Sequence, residues 1–368
     1  MSSQPLVSIV TPVYNERKHL AECIESVLAQ SYANWDYTIV DNCSTDGTAE
    51  IARQYAARDP RIRVLECREF LRALPNFNRA LRQISLESKY CKVVLGDDWI
   101  FPECLERMVA VAEANPSVGL VSAYALEGTQ VICAGLPVQA TFVPGQEICR
   151  RHFLDGLYVF GSPTNVLYRA DLVRDHDPFF NETNIHADTE VCFVLLKTSD
   201  FAFVHQVLTF SRVRQDSRSA TDLDNQTDFG GFLETLLKHG PAFLSPEELK
   251  TRRDQHISEY HNFLGKSLIV GRDRTFWKYN ETKLIEAGVG FSRMRVARGA
   301  ISTALDIALN PKSGIEKILK RRQRQSGSQV LESKPVTTSG MADWAASGSE
   351  NHQPLKASAA PQAVSSGR

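Results

Sequence analysis

The 368-residue sequence has almost no net charge: 42 Lys and Arg stand against 43 Asp and Glu, leaving a formal charge of -1. A protein that grips nucleic acid by neutralising phosphates carries a basic excess, so no nucleic-acid partner is expected. The 8 cysteines (Cys23, Cys43, Cys67, Cys91, Cys104, Cys133, Cys149 and Cys192) form no C-x-x-C pair. That removes the usual zinc and dithiol signatures and predicts reduced residues within the core. No apolar run approaches the length needed to cross a bilayer. Met1-Ser2-Ser3-Gln4-Pro5 also lacks the basic and apolar regions of a signal peptide, so a cytoplasmic protein is expected. No internal repeat is visible.

What the sequence does contain is a succession of short apolar runs, several of which end in acid. Lys92-Val93-Val94-Leu95-Gly96 runs into Asp97-Asp98-Trp99, and Tyr37-Thr38-Ile39-Val40 runs into Asp41. Leu6 to Thr11 is a β-rich run stopped by Pro12, and Ile62 to Glu66 supplies another. Helical spacing follows each: Leu20, Cys23, Ile24, Val27 and Leu28; then Ile51, Ala52, Tyr55 and Ala56; then the segment from Pro75 to Leu86. Strand alternating with helix predicts a mostly parallel sheet with right-handed crossovers, in which ligands bind at the carboxyl ends of the strands. Asp41 and the Asp97/Asp98 pair are thereby expected at one crevice. Two adjacent carboxylates repel each other, so a divalent cation holding a phosphate is a natural partner. The alternative is an Asp-rich turn before the next helix.

Further along, Gly161-Ser162-Pro163-Thr164 reads as a loop, and Asn165 to Arg169 as a strand. His186-Ala187-Asp188-Thr189-Glu190 leads into the apolar helix Val191 to Leu196, where Asp188 suits an N-cap. From about Phe229 the pattern is helical, interrupted after Ser267, and it ends in the basic stretch from Ile315 to Arg324. Such an end suits either a peripheral contact with an anionic inner membrane face or a solvated helix terminus. From Gln325 to Arg368 few large apolar residues occur, which predicts disorder. The expected organisation is a domain over 1–220, a helical extension over 221–324 and a disordered tail over 325–368.

In this order, Pro12-Val13-Tyr14-Asn15-Glu16, Val40-Asp41-Asn42-Cys43-Ser44-Thr45-Asp46-Gly47-Thr48, Leu95-Gly96-Asp97-Asp98-Trp99 and Asp188 resemble glycosyltransferase family 2. The resemblance covers roughly Pro5 to Ser219. It implies an α/β GT-A fold, Rossmann-like with a mixed sheet flanked by helices, and an inverting transfer of one sugar from a nucleotide diphosphate sugar to a hydroxyl of a glycan or lipid-linked acceptor. It also implies Pro12, Tyr14 and Glu16 around the ribose and base, and Asp41 at the base edge. Asp97 and Asp98 would bind the metal, Mg2+ or Mn2+, with Asp97 also facing the donor diphosphate. Asp188 would be the catalytic base, with Glu190 as its rival.

Arg72 is a further donor candidate or a solvated arginine, Gly161 and Ser162 belong to an acceptor-side loop, and Trp99 either stacks on a sugar or is partial core. Asp46 and Gly47 suit turn chemistry. Members of the family often carry an acid where Leu95 stands and a histidine where Arg214 stands. The absence of a Q-x-x-R-W pattern favours single-sugar transfer over processive synthesis. The competing readings are a nucleotidyltransferase, which would want a Gly-rich phosphate loop with a lysine after the first strand, and a non-catalytic nucleotide-sugar-binding scaffold.

Overall fold

Seven consecutive buried residues, Val7–Val13, form β1, the strand on which the others are laid. The computed structural model describes residues 4–184, 186–213 and 228–309. β2 (Trp35–Asp41) and β4 (Tyr90–Val93) flank β1 in parallel, with Val13 opposite Asp41 and Val10 opposite Val93. β3 (Ile62–Glu66) adds to β2, again in parallel. Strands covered on both faces need apolar side chains on both, which is why these read as near-continuous runs. Ile9, Val13, Tyr37 and Ile39 point to one layer, with α1 (Leu20–Leu28) and α4 (Cys104–Ala114). Val10, Val40 and Val93 point to the other, with α3 (Ala73–Leu81), α5 (Gly145–Asp155) and α7 (Ala187–Leu195). The cysteines are all free, and six of them are buried, as expected of reduced core residues.

Beyond β4 the sheet becomes mixed. Its order is β3-β2-β1-β4-β9-β6-β10-β5, where β5 is Trp99–Ile100, β6 is Val118–Glu127, β9 is Leu167–Arg169 and β10 is Asp200–Ser211. β9 runs antiparallel to both β4 and β6, and β10 runs parallel to β6. Two consequences fix the site. The residues just before β9 lie beyond the carboxyl end of β4, and the carboxyl end of β10 emerges on that same rim. Asn165, read as strand from the sequence, instead closes a single 3-10 turn, Pro163–Asn165.

The helical region contains α8 (Asp228–His239), α9 (Pro246–Val270), α10 (Arg274–Glu286) and α11 (Arg293–Leu309). Leu233, Ile257, Tyr260, Leu264, Phe276, Leu284 and Val296 form its own core. α9 starts in a capping box: Ser245 accepts from the Glu248 backbone while the Glu248 carboxylate accepts from the Ser245 backbone. The chain divides into one unit over residues 1–304 and another over 305–368, so the helices to residue 304 share a unit with the sheet. The basic stretch 315–324, the expected tail from 325 and Arg214 lie outside the described residues. Among the described residues no helix is long and apolar enough to cross a membrane.

Candidate active site

Asp41 closes β2, where parallel register places it beside Val13, at the start of the loop carrying Tyr14 and Glu16. Its carboxylate is 3% exposed. Oδ2 accepts from the Ser44 backbone at 3.1 Å, while Oδ1 is buried with no hydrogen-bond partner among the described residues. A buried acceptor left unsatisfied costs about 1–3 kcal/mol, so this oxygen is poised for a donor from outside the chain.

The loops around it are laced together. Asn15, at φ 53°, donates its backbone N–H to Ser44 Oγ at 2.9 Å and accepts from the Thr45 backbone at 2.9 Å. The Glu16 backbone donates to Thr48 Oγ1 at 2.8 Å. Asp46 accepts from the backbones of Arg17 (3.1 Å) and Thr48 (3.0 Å), the turn chemistry expected of it. Pro12 is buried in β1, and Tyr14 is half-exposed with its ring edge-on to Phe70 at 4.8 Å.

Arg72 stands exposed at the start of α3. The arginine that reaches the Asp41 loop is instead Arg79, which donates to Asn42 Oδ1 at 2.5 Å and Asn76 Oδ1 at 2.9 Å. Asn42 in turn is bonded to the Leu71 backbone in both directions, at 2.7 and 2.9 Å. Nothing in the local sequence pattern marks this pair, because their meeting depends on how α3 packs on β2.

Asp98 is 4% exposed and sits at the centre of a ring of donors. Oδ2 accepts from Thr164 Oγ1 at 2.6 Å and Ser211 Oγ at 3.3 Å, and Oδ1 accepts from the Arg212 backbone at 3.0 Å. Burial, followed by the charge of Asp97, pushes its carboxyl up to about 7 despite these bonds. Asp97 is half-buried, and its backbone carbonyl accepts from the Arg212 side chain at 3.1 Å. Thr164 and Ser211 were not singled out from the sequence; both reach Asp98 through the sheet topology described above. A buried carboxyl raised in this way beside a second carboxylate fits a divalent cation that would relieve their repulsion. No group of three or more His, Cys, Asp and Glu gathers among the described residues. The chain therefore suits an ion that retains waters and takes its remaining oxygens from substrate phosphates.

Hydroxyl contacts, interrupted at the Gly161 backbone, run from Asp98 toward the helix start that carries Asp188. Ser211 Oγ lies 3.2 Å from Ser162 Oγ, which also donates to Asn165 Oδ1 at 3.1 Å. Gly161, next to it, has φ +72°, and its carbonyl accepts from Tyr158 OH at 3.2 Å. Tyr158 OH lies 3.5 Å from Thr189 Oγ1, beside Asp188. Asp188 is half-buried in the first turn of α7, where its Oδ1 accepts from the Thr189 backbone at 2.8 Å.

Glu190, two residues on, has a different environment. Its side chain is 5% exposed and accepts from Lys238 Nζ at 2.5 Å, His239 Nε2 at 3.2 Å, Asn184 Nδ2 at 2.7 Å and Asn181 Nδ2 at 2.9 Å. Burial pushes this carboxyl up, but the donors from His239, Lys238, Asn184 and Asn181 outweigh burial and hold it well below the usual range. A carboxylate so fully engaged is a poor base. Trp99 is stacked on Phe210 (4.8 Å, 16°) and edge-on to Phe101 (4.7 Å), so its ring is packed within an aromatic group.

Among known proteins, residues 8–176 match the family model described as glycosyl transferase family 2. The chain is 41% identical to EpsE of Bacillus subtilis over 116 residues, 31% of this chain and 41% of that protein, so it spans less than half the length of this relative. It is 26% identical to the glycosyltransferase GlyG of Streptococcus pneumoniae over 227 residues, 60% of this chain and 74% of that protein. Among solved structures, S. aureus TarS 1-349 in complex with UDP-GlcNAc superposes with a TM-score of 0.58 at 17% identity, covering 80% of this chain and 87% of that one. The mixed α/β sheet flanked by helices is the GT-A arrangement that the sequence motifs imply.

Proposed function

We propose, from the match of residues 8–176 to the glycosyl transferase family 2 model, that the chain moves a single sugar from a nucleotide diphosphate sugar to an acceptor hydroxyl, with inversion. The observation that supports this reading is that Asp41 and the Asp97/Asp98 pair end parallel strands at one rim, with Ser162, Tyr158 and Thr189 between Asp98 and the helix start that carries Asp188. Asp41 Oδ1 takes an N–H from the base, and the loop of Pro12, Tyr14 and Glu16 surrounds base and ribose. Asp97 and Asp98 face the diphosphate and would hold the divalent cation. When bound, that cation would draw charge from the leaving diphosphate oxygen as a Lewis acid.

Asp188 accepts the proton of the acceptor hydroxyl as its oxygen bonds to the anomeric carbon from the face opposite the departing diphosphate. The electron pair of the broken carbon–oxygen bond leaves with the nucleotide diphosphate, and the anomeric centre inverts. Gly161 and Ser162 border the acceptor side. The acceptor is a glycan or lipid-linked hydroxyl.

The test uses the purified full chain with UDP, GDP and dTDP and their sugars, with Mg2+ or Mn2+ or chelator. UDP-sugars come first, because the TarS structure holds UDP-GlcNAc. Asp188→Asn should retain nucleotide binding and lose turnover by about a hundred- to ten-thousand-fold, the usual worth of general-base assistance. Unchanged turnover in this variant would remove Asp188 from the mechanism and favour a non-catalytic binding role.

A further inference from the structure

Outside the rim, α9 and α11 enclose a polar groove of about 690 Å³, lined by Asp254, Ile257, Ser258, His261, Asn262, Arg295, Arg298 and Ser302. We propose that this groove is a second ligand site, one that takes a phosphate group retaining a proton, through Arg295, Arg298 and His261.

Three independent features lead there. The first turn of α11 carries Arg293 and Arg295 and no acid, although a helix N-terminus disfavours cations. Along the groove the ion pairs of α9 are internal, Arg252–Glu259 at 3.2 Å, Arg253–Asp254 at 2.9 Å and His256–Glu259 at 3.6 Å, and Glu248 at its start pairs with Arg150 of α5, so none of them reaches α11. Arg295 and Arg298 have no ion-pair partner among the described residues. Three positions apart, they share a helix face, and an oxyanion between them would answer both guanidiniums and the helix dipole.

His261 supplies the second feature. It is 2% exposed, and its Nδ1 is bonded to the Ile257 carbonyl at 2.8 Å, which assigns the proton to Nδ1 and the lone pair to Nε2. Nε2 is buried without a hydrogen-bond partner among the described residues, on a side chain that lines the groove. Burial, and beyond it the charge of Arg295, hold the ring below its ordinary value, so Nε2 is offered as an acceptor.

The third feature is selectivity. Asp254, held by Arg253, puts another acceptor on the rim. Two cations with two acceptors suit an oxyanion that can carry a hydroxyl, which inorganic phosphate does in part near neutral pH, a phosphate monoester does toward about pH 6, and sulfate does not. The groove is also rigid. A Cβ on Gly265 would come within 2.5 Å of the Ala300 backbone nitrogen and 2.6 Å of the Val296 carbonyl oxygen, so α9 and α11 meet backbone to backbone at its end.

The probe is inorganic phosphate, titrated calorimetrically into the full chain in the presence of chelator, with the His261 ring followed by NMR. One binding event that shifts the His261 signals, and is stronger for phosphate than for sulfate, is expected. The double variant Arg295→Gln/Arg298→Gln should weaken it by at least about tenfold, the scale of charge-assisted contacts. Asp98→Asn, on the other site, should leave it unchanged. Arg298→Gln alone serves if the double variant does not fold, and should weaken binding in the same direction. Undiminished binding in the arginine variants, or an unmoved His261, would overturn the site. Phosphatidylcholine vesicles carrying phosphatidic acid then identify the source: competition with soluble phosphate assigns the groove to a lipid headgroup, and no competition assigns it to a soluble phosphate ester. Because the readout is binding without nucleotide, its failure is separable from failure of the transferase reading.

Discussion

Asp98 and Glu190 are carboxylates at the same depth, each 4% exposed, in surroundings of opposite character. Around Asp98 the donors are two hydroxyls and one backbone N–H, and the nearest charge named against it is another carboxylate, Asp97. Around Glu190 the donors include Lys238 and His239 from the end of α8, together with two amides from the loop before α7. One carboxyl is pushed up to about 7, and the other is held well below the usual range. Glu190 is satisfied by the chain itself and ties the helical region to the helix bearing Asp188. Asp98 has no cation among the donors to its carboxylate from the described residues, and Asp97 adds negative charge beside it. A buried group whose needs are met locally is part of the scaffold, whereas one left short marks a site.

The comparison breaks first at Glu190. Glu190→Ala leaves the buried His239 ring and the amides of Asn181 and Asn184 without their acceptor, while the exposed Lys238 turns to water, and should cost about 1–3 kcal/mol in urea unfolding, the range for stranding a buried polar group. A loss below about 1 kcal/mol would mean that α8 is held by its apolar contacts alone.

Asp98→Asn should act in the opposite direction in chelator. Because burial raises the folded Asp98 value from 3.8 to about 7, its favourable contribution is fully present below 3.8 and is lost as pH rises through about 7. The metal-free native protein should therefore gain stability from Asp98→Asn at pH 8, by at most on the order of 4 kcal/mol, and gain little at pH 4. Thr164 and Ser211 can turn their hydroxyls to accept from the new amide. Glu190 has the reverse sign: its contribution is present above the unfolded carboxyl value, about 4.3, and is lost as pH falls further toward its depressed folded value. Chemical denaturation of both variants across about pH 2 to 8 separates the two slopes, and parallel curves would erase the distinction.

The smallest effect sharpens the comparison. Thr164→Val removes one donor from Asp98 and should cost about 1 kcal/mol while raising the Asp98 carboxyl further, seen as a later onset of its titration by carboxyl-sensitive NMR. An unmoved titration would show that the Thr164 hydroxyl does not sense the charge.

Much of the sheet was legible in the sequence because burial on both faces leaves an unbroken apolar run, and the acids Asp41, Glu66 and Asp97 mark where three of these runs end. The β5 pairing, the 3-10 turn before β9 and α5 carried no comparable signal; β5 is two residues long, and α5 is mostly polar apart from Ile148, Cys149 and Phe153 on its buried side. The two rival acids, Asp188 and Glu190, were indistinguishable as letters in one helix start.

Local spacing alone placed Asp41 and the Asp97/Asp98 pair on one edge, because parallel strands that alternate with helices must end together. What surrounds each acid was decided only by the tertiary structure. Thr164 and Ser211 reach Asp98 across 66 and 113 residues of chain, and Lys238 reaches Glu190 across 48. Such meetings are set by strand order, register and helix docking, and the short-range periodicity of a sequence holds no record of them.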